Sequence, residues 1–466
     1  MATRPTVIRG ADLELALQGL RAELAIPADF PPAVTADAER AAASWSREHR
    51  VDATDLEVVT LDPAGSMDLD QAFAISETAD GFRLSYAIAD VGAFVDPAGP
   101  MAAEAAIRGE TLYLPDGRAP LYPPTLSEHA ASLLPDGDRP AVLWSLDLDH
   151  EAELQAIDVR RAIVRSRAKL DYATIAQTHP DLTARLQRVG ELRLQRERDR
   201  GGVSLNIPEQ DVSHDGSQWV LEYRTPAPAE GWNAQLSLLT GMAAAKLMID
   251  ARVGLLRTMP KPSHHTIAAL RRSAVALHVD WPGGASYADI VRALDPDVPS
   301  NAAMLRLAGS LFRGTHYVAF DGELPEETTH SAVAAAYAHA TAPLRRLADR
   351  YVSEVCLAVC AGSPIPQWAR DGLPGLPKTM AAADQHAHQV DRAVVDLAET
   401  VLLQDRVGET FDGVVVEAAD DHGQVQLADP PVRARLDGSN LPLGQEVSVR
   451  LTTASVGNRQ LAFSLA

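Results

Sequence analysis

Three aspartates crowd one short stretch of the chain, LDPAGSMDLDQAF at residues 61–73. Asp62 follows an apolar run, and one residue separates Asp68 from Asp70. Carboxylate oxygens are hard ligands that suit Mg²⁺ or Mn²⁺, and such an ion would relieve the repulsion between close carboxylates. The spacing therefore favours a divalent-metal site. The plainer alternative is a solvated loop in which the aspartates only form turns.

The segments that flank this loop favour the metal interpretation. VVTL precedes the loop and AFAI follows it, so the loop lies between two short apolar runs. Such runs are typical of buried strands. The ends of buried strands are common positions for functional side chains, because the scaffold holds them rigidly.

The composition sets broad limits on the class of protein. The chain has 466 residues, a formal net charge of −21 and two cysteines, Cys356 and Cys360. Its length suggests two to four domains at ~100–200 residues each. The charge argues against a general nucleic-acid coat protein, and two cysteines cannot form a disulfide framework. No apolar run reaches the ~20 residues of a membrane span, so we expect a cytoplasmic protein without a membrane partner.

Hydrophobic periodicity divides the chain into three parts. Residues 1–50 predict a small helical module, with a helix-turn-helix-like arrangement as one option. Residues 51–406 begin with strands, are mostly helical over 230–360, and end in a long helix. Residues 407–466 hold five short alternating segments punctuated by glycine, which predict a five-stranded OB-type barrel. The expected fold class is α+β.

Four stretches carry a more specific signal. They are TLDPAGSMDLDQAFAI from residue 60, YAIADVGAFV (86–95), the segment 109–142, and YAHATAPLRRLADRYV (337–352). In this order they resemble motifs of the ribonuclease II / ribonuclease R (RNB) family, whose signature runs Thr-Ile-Asp, five residues, Asp-x-Asp-Asp-Ala. The last segments resemble the S1 domain that often ends these proteins. The resemblance covers about residues 50–466.

This resemblance implies both a fold and an activity. The fold is a catalytic domain with a mixed sheet and surrounding helices, followed by the S1-like barrel. The activity is hydrolytic and processive: a 3′-to-5′ exoribonuclease that releases nucleoside 5′-monophosphates from single-stranded RNA. The implied cofactor is Mg²⁺, with Mn²⁺ as the alternative ion. We expect the 3′ end of single-stranded RNA as the partner, a monomer, and no obligate protein partner.

The resemblance also implies roles for single residues. Asp70 matches the acid most closely tied to cleavage, and Arg345 matches an arginine on the scissile phosphate. Asp68 is expected to act with them. The metal ligands are expected to be Asp62, Asp68, Asp70 and Gln71. The RNA contacts are expected to be Tyr113 on the terminal base, Tyr172 in the channel, Arg345 and Arg346 on phosphate, and Asp391 near the 3′-terminal ribose.

Several departures from the family pattern leave other functions open. Gln71 stands where the family has a fourth aspartate, so one metal contact would be uncharged. Ala234 stands where an acid is expected, and residues 196–209 offer no aromatic to face Tyr113. Helices replace the usual cold-shock barrels before residue 50. A non-catalytic RNA-binding regulator is therefore the main alternative, and a DNA nuclease or small-nucleotide phosphodiesterase is a third.

Overall fold

The computed structural model describes residues 6–8, 10–135, 137–204, 209–214, 217–224, 226–296 and 298–466. Residues 205–208, part of the segment in which an aromatic partner for Tyr113 was sought, lie outside these ranges. Both helices and strands run through the described part of the chain, so the predicted α+β class is confirmed.

Twenty-one strands and twelve α-helices are found in the described ranges. The strands are β1 (Thr6–Ile8), β2 (Val51–Asp52), β3 (Thr60–Asp62), β4 (Gln71–Thr78), β5 (Gly81–Ala89), β6 (Leu112–Leu114), β7 (Gly117–Ala119), β8 (Arg139–Leu148), β9 (Leu154–Val164), β10 (Lys169–Asp171), β11 (Glu209–His214), β12 (Trp219–Arg224), β13 (Val253–Thr258), β14 (His316–Asp321), β15 (Thr329–His330), β16 (Ala335–Ala336), β17 (Thr410–Ala418), β18 (His422–Leu427), β19 (Arg433–Asp437), β20 (Glu446–Ser455) and β21 (Gln460–Leu465). The helices are α1 (Gly10–Glu23), α2 (Pro32–Ser44), α3 (Pro100–Arg108), α4 (Ile175–Thr178), α5 (Pro180–Asp199), α6 (Pro228–Ala251), α7 (His264–Ala276), α8 (Tyr287–Ala293), α9 (Pro299–Ala308), α10 (Leu347–Ala361), α11 (Gln367–Gly372) and α12 (Leu376–Leu403).

A five-stranded mixed sheet forms the centre of the molecule. Its order is β2-β9-β8-β5-β4; β2 runs parallel to β9, and the other neighbours are antiparallel. Tyr86, Trp144 and Leu84 are fully buried in its core. Because β5 is buried along almost its whole length, its neighbours are held rigidly and so are the loops that leave them.

The last part of the chain closes into a barrel. Its strands pair in the order β17-β18-β19-β21-β20, and β20 returns to β17. Alternate apolar residues such as Val415, Val425, Val449 and Phe463 fill the interior. The predicted five-stranded OB-type barrel is confirmed.

The two N-terminal helices belong to different cores. Leu13, Leu17 and Leu20 of α1 pack into the core shared by α12 and the barrel. Val34 and Ala38 of α2 pack into the core of the central sheet. Each of the two helices thus buries its apolar stripe against a different part of the molecule. None of the described helices is long and apolar enough to cross a membrane.

Candidate active site

The aspartate loop is fixed between the central sheet and the segment around residue 132. Asp62 ends β3, and the loop that carries Asp68 and Asp70 leads into β4. The Leu69 amide donates to the Ser132 hydroxyl at 3.0 Å, and that hydroxyl donates to the Met67 carbonyl at 2.6 Å. These bonds hold the loop against the core, so the three carboxylates are not part of a freely solvated turn.

Asp70 is the most buried acid of the cluster, at 4% exposed. Its Oδ1 accepts a hydrogen bond from the Leu344 amide at 2.7 Å, and Arg345 Nε lies 3.5 Å from its Oδ2. Burial raises the pKa of Asp70 well above the ordinary value, and the Arg345 charge opposes that rise. The structure thus brings together the acid and the arginine predicted to act on the phosphate.

Asp62 has a buried carboxylate oxygen that lacks a partner. Its Oδ2 atom accepts no hydrogen bond within the described ranges. Burial raises the pKa of Asp62 to about 6, while the charges of Arg345 and Lys169 lower it and that of Asp68 raises it. A buried carboxylate that lacks a counter-charge is costly. This oxygen therefore fits a hard cation.

Asp68 already has a partner on each oxygen. Arg118 Nη1 donates to its Oδ1 at 2.6 Å, and the Tyr113 hydroxyl donates to its Oδ2 at 2.8 Å. Arg118 also pairs with Glu128 at 2.9 Å. Asp68 is thus tied to β6 and β7, and of the three aspartates it has the fewest lone pairs left for a metal.

Tyr113 lies at the rim of the site. Its side chain projects from β6, and the residue is 45% exposed although its hydroxyl is held by Asp68. An exposed ring with a fixed hydroxyl is a suitable platform for stacking a base. The predicted stacking role stays a prediction, but the ring is placed where it could serve.

Gln71 contacts the buried ring of Tyr86. The Tyr86 hydroxyl donates to Gln71 Oε1 at 2.5 Å, so one lone pair of the amide oxygen is already used. The residue also lines the large cavity beside the aspartates. Gln71 can therefore offer a cation at most one further lone pair, and no charge.

A cavity of about 1090 Å³ extends from Gln71 and Arg345 along the N-terminal half of α6 to α8. Gln71, Tyr172 and Arg345 line its inner end. The Tyr172 hydroxyl accepts from Asn233 Nδ2 at 3.0 Å, and the same amide donates to the Leu61 carbonyl at 3.3 Å. Burial raises the pKa of Tyr172 to about 12, so this hydroxyl stays protonated near neutral pH.

The two neighbouring arginines have different environments. The Arg345 side chain is 46% exposed and projects into the cavity. Arg346 donates to Asp349 through Nε at 3.1 Å and Nη2 at 2.9 Å, and Asp349 also accepts from the Ala342 amide at 2.7 Å. Arg345 is therefore available to a ligand, whereas the guanidinium of Arg346 is engaged in holding the turn before α10.

Asp391 is the predicted site residue that lies apart from the rest. It is exposed on α12 and lines a second cavity, between α12 and the barrel, rather than the one above the aspartates. The structure brings Asp62, Asp68, Asp70, Gln71, Tyr113, Tyr172 and Arg345 around one site, with Arg346 directly behind them. It does not bring Asp391 there.

The residues fit a metal only in part. Across the described ranges, no group of three or more His, Cys, Asp or Glu side chains is arranged to hold a metal ion. In the described part of the chain, Asp62 Oδ2 has no hydrogen bond, Asp70 Oδ2 lies 3.5 Å from Arg345 Nε, and Asp68 is paired on both oxygens. The carboxylates of Asp62 and Asp70 are therefore the donors that suit Mg²⁺ best.

Sequence reasoning did not select three of the residues around this site. Arg118 neutralises Asp68, Tyr86 binds Gln71, and Asn233 binds Tyr172. The one signal available was that Arg118 and Tyr86 fall inside the family-like segments 109–142 and 86–95. Nothing in the sequence around Asn233 indicated its role.

Comparisons with known proteins agree with this architecture. Residues 50–361 match the RNB domain, and residues 409–466 match the RNase II-type exonuclease C-terminal S1 domain. Ribonuclease R of Escherichia coli (strain K12) is 26% identical over 472 residues, covering 89% of this chain and 57% of the relative. The chain thus spans little more than half the length of such curated relatives.

Solved structures show the same fold at low sequence identity. RNase R of Mycoplasma genitalium, in complex with ribose methylated single-stranded RNA, matches with a TM-score of 0.86 at 17% identity, over 98% of this chain and 78% of that one. Yeast Ssd1, described as a pseudonuclease, matches with a TM-score of 0.66 at 15% identity, over 86% and 52%. The RNB match extends over more than half of this chain, and the chain therefore belongs to the RNB family.

Proposed function

We propose that this protein is a hydrolytic, processive 3′-to-5′ exoribonuclease that releases nucleoside 5′-monophosphates from single-stranded RNA with the help of Mg²⁺. One observation carries the proposal. The buried acid Asp70 lies 3.5 Å from the half-exposed Arg345, which lines a large cavity, and the partnerless carboxylate oxygen of Asp62 is within electrostatic reach of the same arginine. An anionic pocket beside a cationic arginine suits a phosphodiester held together with a divalent ion.

The aspartates would hold the ion. Asp62 and Asp70 would bind Mg²⁺, and Gln71 would be an uncharged neighbour of the ion. Asp68 would remain paired with Arg118. When bound, the ion supplies charge neutralisation at the phosphate and a more acidic water. Mn²⁺ prefers the same oxygen ligands and would be the substitute.

The remaining residues would position the RNA. Among the described residues, the guanidinium of Arg345 has one long ion-pair contact, to Asp70 at 3.5 Å, which leaves donors to bind the scissile phosphate. The exposed ring of Tyr113 would stack on the terminal base, and Tyr172 would line the path of the strand. Arg346 would support Arg345 by fixing the turn through Asp349.

The partner of this site would be the 3′ end of single-stranded RNA. The RNase R of Mycoplasma genitalium that shares the fold is described with such a strand bound. We further propose that the protein works in the cytoplasm, as a monomer and without an obligate protein partner.

A direct assay tests the proposal. A 5′-labelled single-stranded RNA should be shortened from its 3′ end in Mg²⁺, with nucleoside 5′-monophosphates as products and a short labelled remnant. Excess EDTA should stop the reaction, and added Mg²⁺ should restore it. Products that carry a 3′-phosphate, or cleavage that persists in EDTA, would contradict the proposed chemistry.

The alternative is a non-catalytic RNA-binding protein. Two features favour it: Gln71 in place of a fourth carboxylate, and the engagement of both Asp68 oxygens by Arg118 and Tyr113. The fold is also that of a protein described as a pseudonuclease. Tight RNA binding without release of nucleotides in Mg²⁺ or Mn²⁺ would support this alternative. The same assay on DNA and on dinucleotides separates a nuclease of another specificity.

A further inference from the structure

The β6–β7 hairpin brings two side chains together on the aspartate loop. Tyr113 of β6 and Arg118 of β7 are direct partners across the hairpin, so they lie on the same face. Both donate to one carboxylate: the Tyr113 hydroxyl to Asp68 Oδ2 at 2.8 Å, and Arg118 Nη1 to Asp68 Oδ1 at 2.6 Å. With both oxygens occupied, Asp68 is better suited to anchor the hairpin than to bind an ion.

The opposite face of the hairpin is packed against the body of the protein. Leu112 and Leu114 flank Tyr113 along β6, and both are buried in the core that also contains leucines of α1 and α12. At the turn of the hairpin, Arg21 of α1 forms two hydrogen bonds with Asp116, at 2.7 and 3.1 Å. The backbone of the hairpin is thus held on both sides. The orientation of the Tyr113 ring then depends on its own side-chain torsions.

The bond to Asp68 restrains those torsions. The Tyr113 ring is half-exposed, and an exposed ring without a polar contact would be free to change rotamer. Burial raises the pKa of its hydroxyl, and the Asp68 charge adds to that rise, so the hydroxyl stays protonated and donates. The charges of Arg345 and Asp70 also act on this hydroxyl. The restrained ring therefore lies close to the proposed phosphate site.

Arg118 keeps Asp68 in place. Its Nε donates to Glu128 at 2.9 Å while its Nη1 holds Asp68, so one guanidinium bridges acids from two different segments. The side chains of Arg118 and Asp68 are largely enclosed, so solvent screens this pair less than a surface pair. Asp68 also repels the charges of Asp62 and Asp70. Without Arg118, that repulsion would push the Asp68 carboxylate away from its present position.

We propose that Arg118 is a positioning residue of the RNA site: it fixes Asp68, and Asp68 fixes the ring of Tyr113 for stacking on a base. This role rests on the proposed function, because it requires that Tyr113 stacks on RNA. A ring that is already fixed loses less conformational entropy when a base stacks on it, which favours binding. Arg118 acts in this way without touching the RNA.

Two other roles for Arg118 lead to different expectations. As a direct phosphate ligand, Arg118 would contribute to RNA binding independently of the Tyr113 hydroxyl. As a purely structural contact, it would affect the melting temperature but not the affinity for RNA. The hydroxyl of Tyr113 distinguishes these roles, because it is the group that links Asp68 to the ring.

A double-mutant cycle on RNA binding tests the positioning role. Fluorescence anisotropy of a labelled single-stranded RNA in EDTA gives the affinity of the full chain without cleavage. Arg118→Gln and Tyr113→Phe should each weaken binding about threefold to tenfold, because each releases the ring. The double variant should bind within about twofold of the weaker single variant, since both changes break the same link.

Arg83→Gln is the matched control. Arg83 also pairs with an aspartate across two strands, Asp147 at 2.6 Å, and the substitution should change the affinity less than about twofold. Tyr113→Phe keeps the half-exposed ring and removes one hydroxyl, so it tests the link even where Arg118→Gln lowers the melting temperature. Unchanged affinity in Tyr113→Phe, or losses that multiply in the double variant, would overturn the proposal. Absence of RNA binding by the original chain would overturn it as well.

Binding and cleavage can fail separately. A chain that shows the expected cycle but releases no nucleotide in Mg²⁺ would contradict the proposed exonuclease and support the positioning role. A chain that cleaves RNA while the two substitutions act independently would support the exonuclease and exclude the positioning role.

Discussion

Asp62 and Asp90 are two aspartates that follow buried strands, yet their environments are opposite. Asp62 ends β3, and Asp90 comes directly after β5. Asp90 is 2% exposed, and it pairs with Arg161 at 2.5 Å and Arg50 at 2.8 Å. Burial raises its pKa, but the two arginines outweigh burial and hold the pKa below the ordinary value. Asp62 has no such partners, and its pKa rises to about 6.

The difference teaches how to distinguish structural acids from functional ones in this fold. Arg161 also pairs with Glu354 at 2.5 Å, so Asp90 belongs to a closed network whose charges balance inside the protein. Asp62 belongs, with Asp68 and Asp70, to an open cluster in which its own Oδ2 atom has no partner among the described residues. Position after a strand is the same in both cases. The completeness of the charge balance is what separates them.

The open cluster should be the one on which activity depends, and Asp70→Asn should show the largest effect. The substitution removes a buried charge beside Arg345 but keeps the shape of the side chain. We expect a loss of about a thousandfold or more in the single-turnover rate, equivalent to about 4 kcal/mol, because a carboxylate in the reacting centre is lost. Cleavage of labelled single-stranded RNA measures the rate.

RNA binding distinguishes this loss from damage to the fold. Fluorescence anisotropy in EDTA should show the affinity of Asp70→Asn for RNA within a few-fold of the original. Asp147→Asn is the matched control, since Asp147 is half-exposed near the end of β8 and pairs with Arg83 at 2.6 Å, away from the aspartate loop. A rate that falls less than tenfold in Asp70→Asn would break the proposed distinction between the open and closed clusters.

Asp90→Asn should instead reduce stability. Removing the acid leaves Arg50 and Arg161 buried with too little negative charge, and we expect the free energy of unfolding to fall by about 3 kcal/mol at pH 7. Because the folded pKa of Asp90 is lowered, its contribution is present above its unfolded value of about 3.9 and is lost as the pH falls through the folded pKa. Urea unfolding at pH 7 and at pH 3.5 should therefore show a smaller difference at the lower pH.

For Asp62, the same kind of substitution should increase the free energy of unfolding rather than reduce it. In EDTA at pH 7, Asp62→Asn removes a buried charge that has no partner, so the free energy of unfolding should rise by about 1–2 kcal/mol. Added Mg²⁺ should stabilise the original chain but not the variant, which would also lose activity. A destabilised Asp62→Asn chain would mean that this carboxylate is already satisfied within the protein.

Gln71→Asp should have the smallest effect. The shorter side chain gives up the bond from Tyr86 but adds a charge to the open cluster. We expect the rate at saturating Mg²⁺ to change less than about tenfold, and the Mg²⁺ concentration that gives half the maximal rate to fall a few-fold. Gln71→Glu, which keeps the length of the side chain, is the matched comparison. A large loss of cleavage rate in both variants would mean that the site requires the neutral side-chain amide of Gln71.

The sequence alone predicted the parts of this site that are close along the chain. Asp62, Asp68 and Asp70 lie within nine residues, so their proximity follows from spacing. The alternating segments of residues 407–466 likewise predicted the barrel, because each strand pairs with near neighbours in the sequence. Arg345 was recognisable as a phosphate ligand at a helix start after Pro343, but only the family resemblance linked it to Asp70.

The sequence alone could not predict which segments distant along the chain lie next to one another. Residues 230–360 were predicted to be mostly helical, but β13 and β14 pair there across about sixty residues. Arg118 reaches Asp68 only because the β6–β7 hairpin packs over the loop. The amphipathic stripe of α1 was visible, but a stripe of leucines does not indicate which surface will cover it.

The position of α1 has a consequence for the order in which the molecule can form. Leu13, Leu17 and Leu20 are synthesised before their partners on α12 and the barrel, which follow more than 350 residues later. At ~5–20 residues per second, α1 waits roughly 20–70 s on the ribosome for the surface that buries it. Throughout that interval its apolar stripe lacks the part of its core that α12 and the barrel supply.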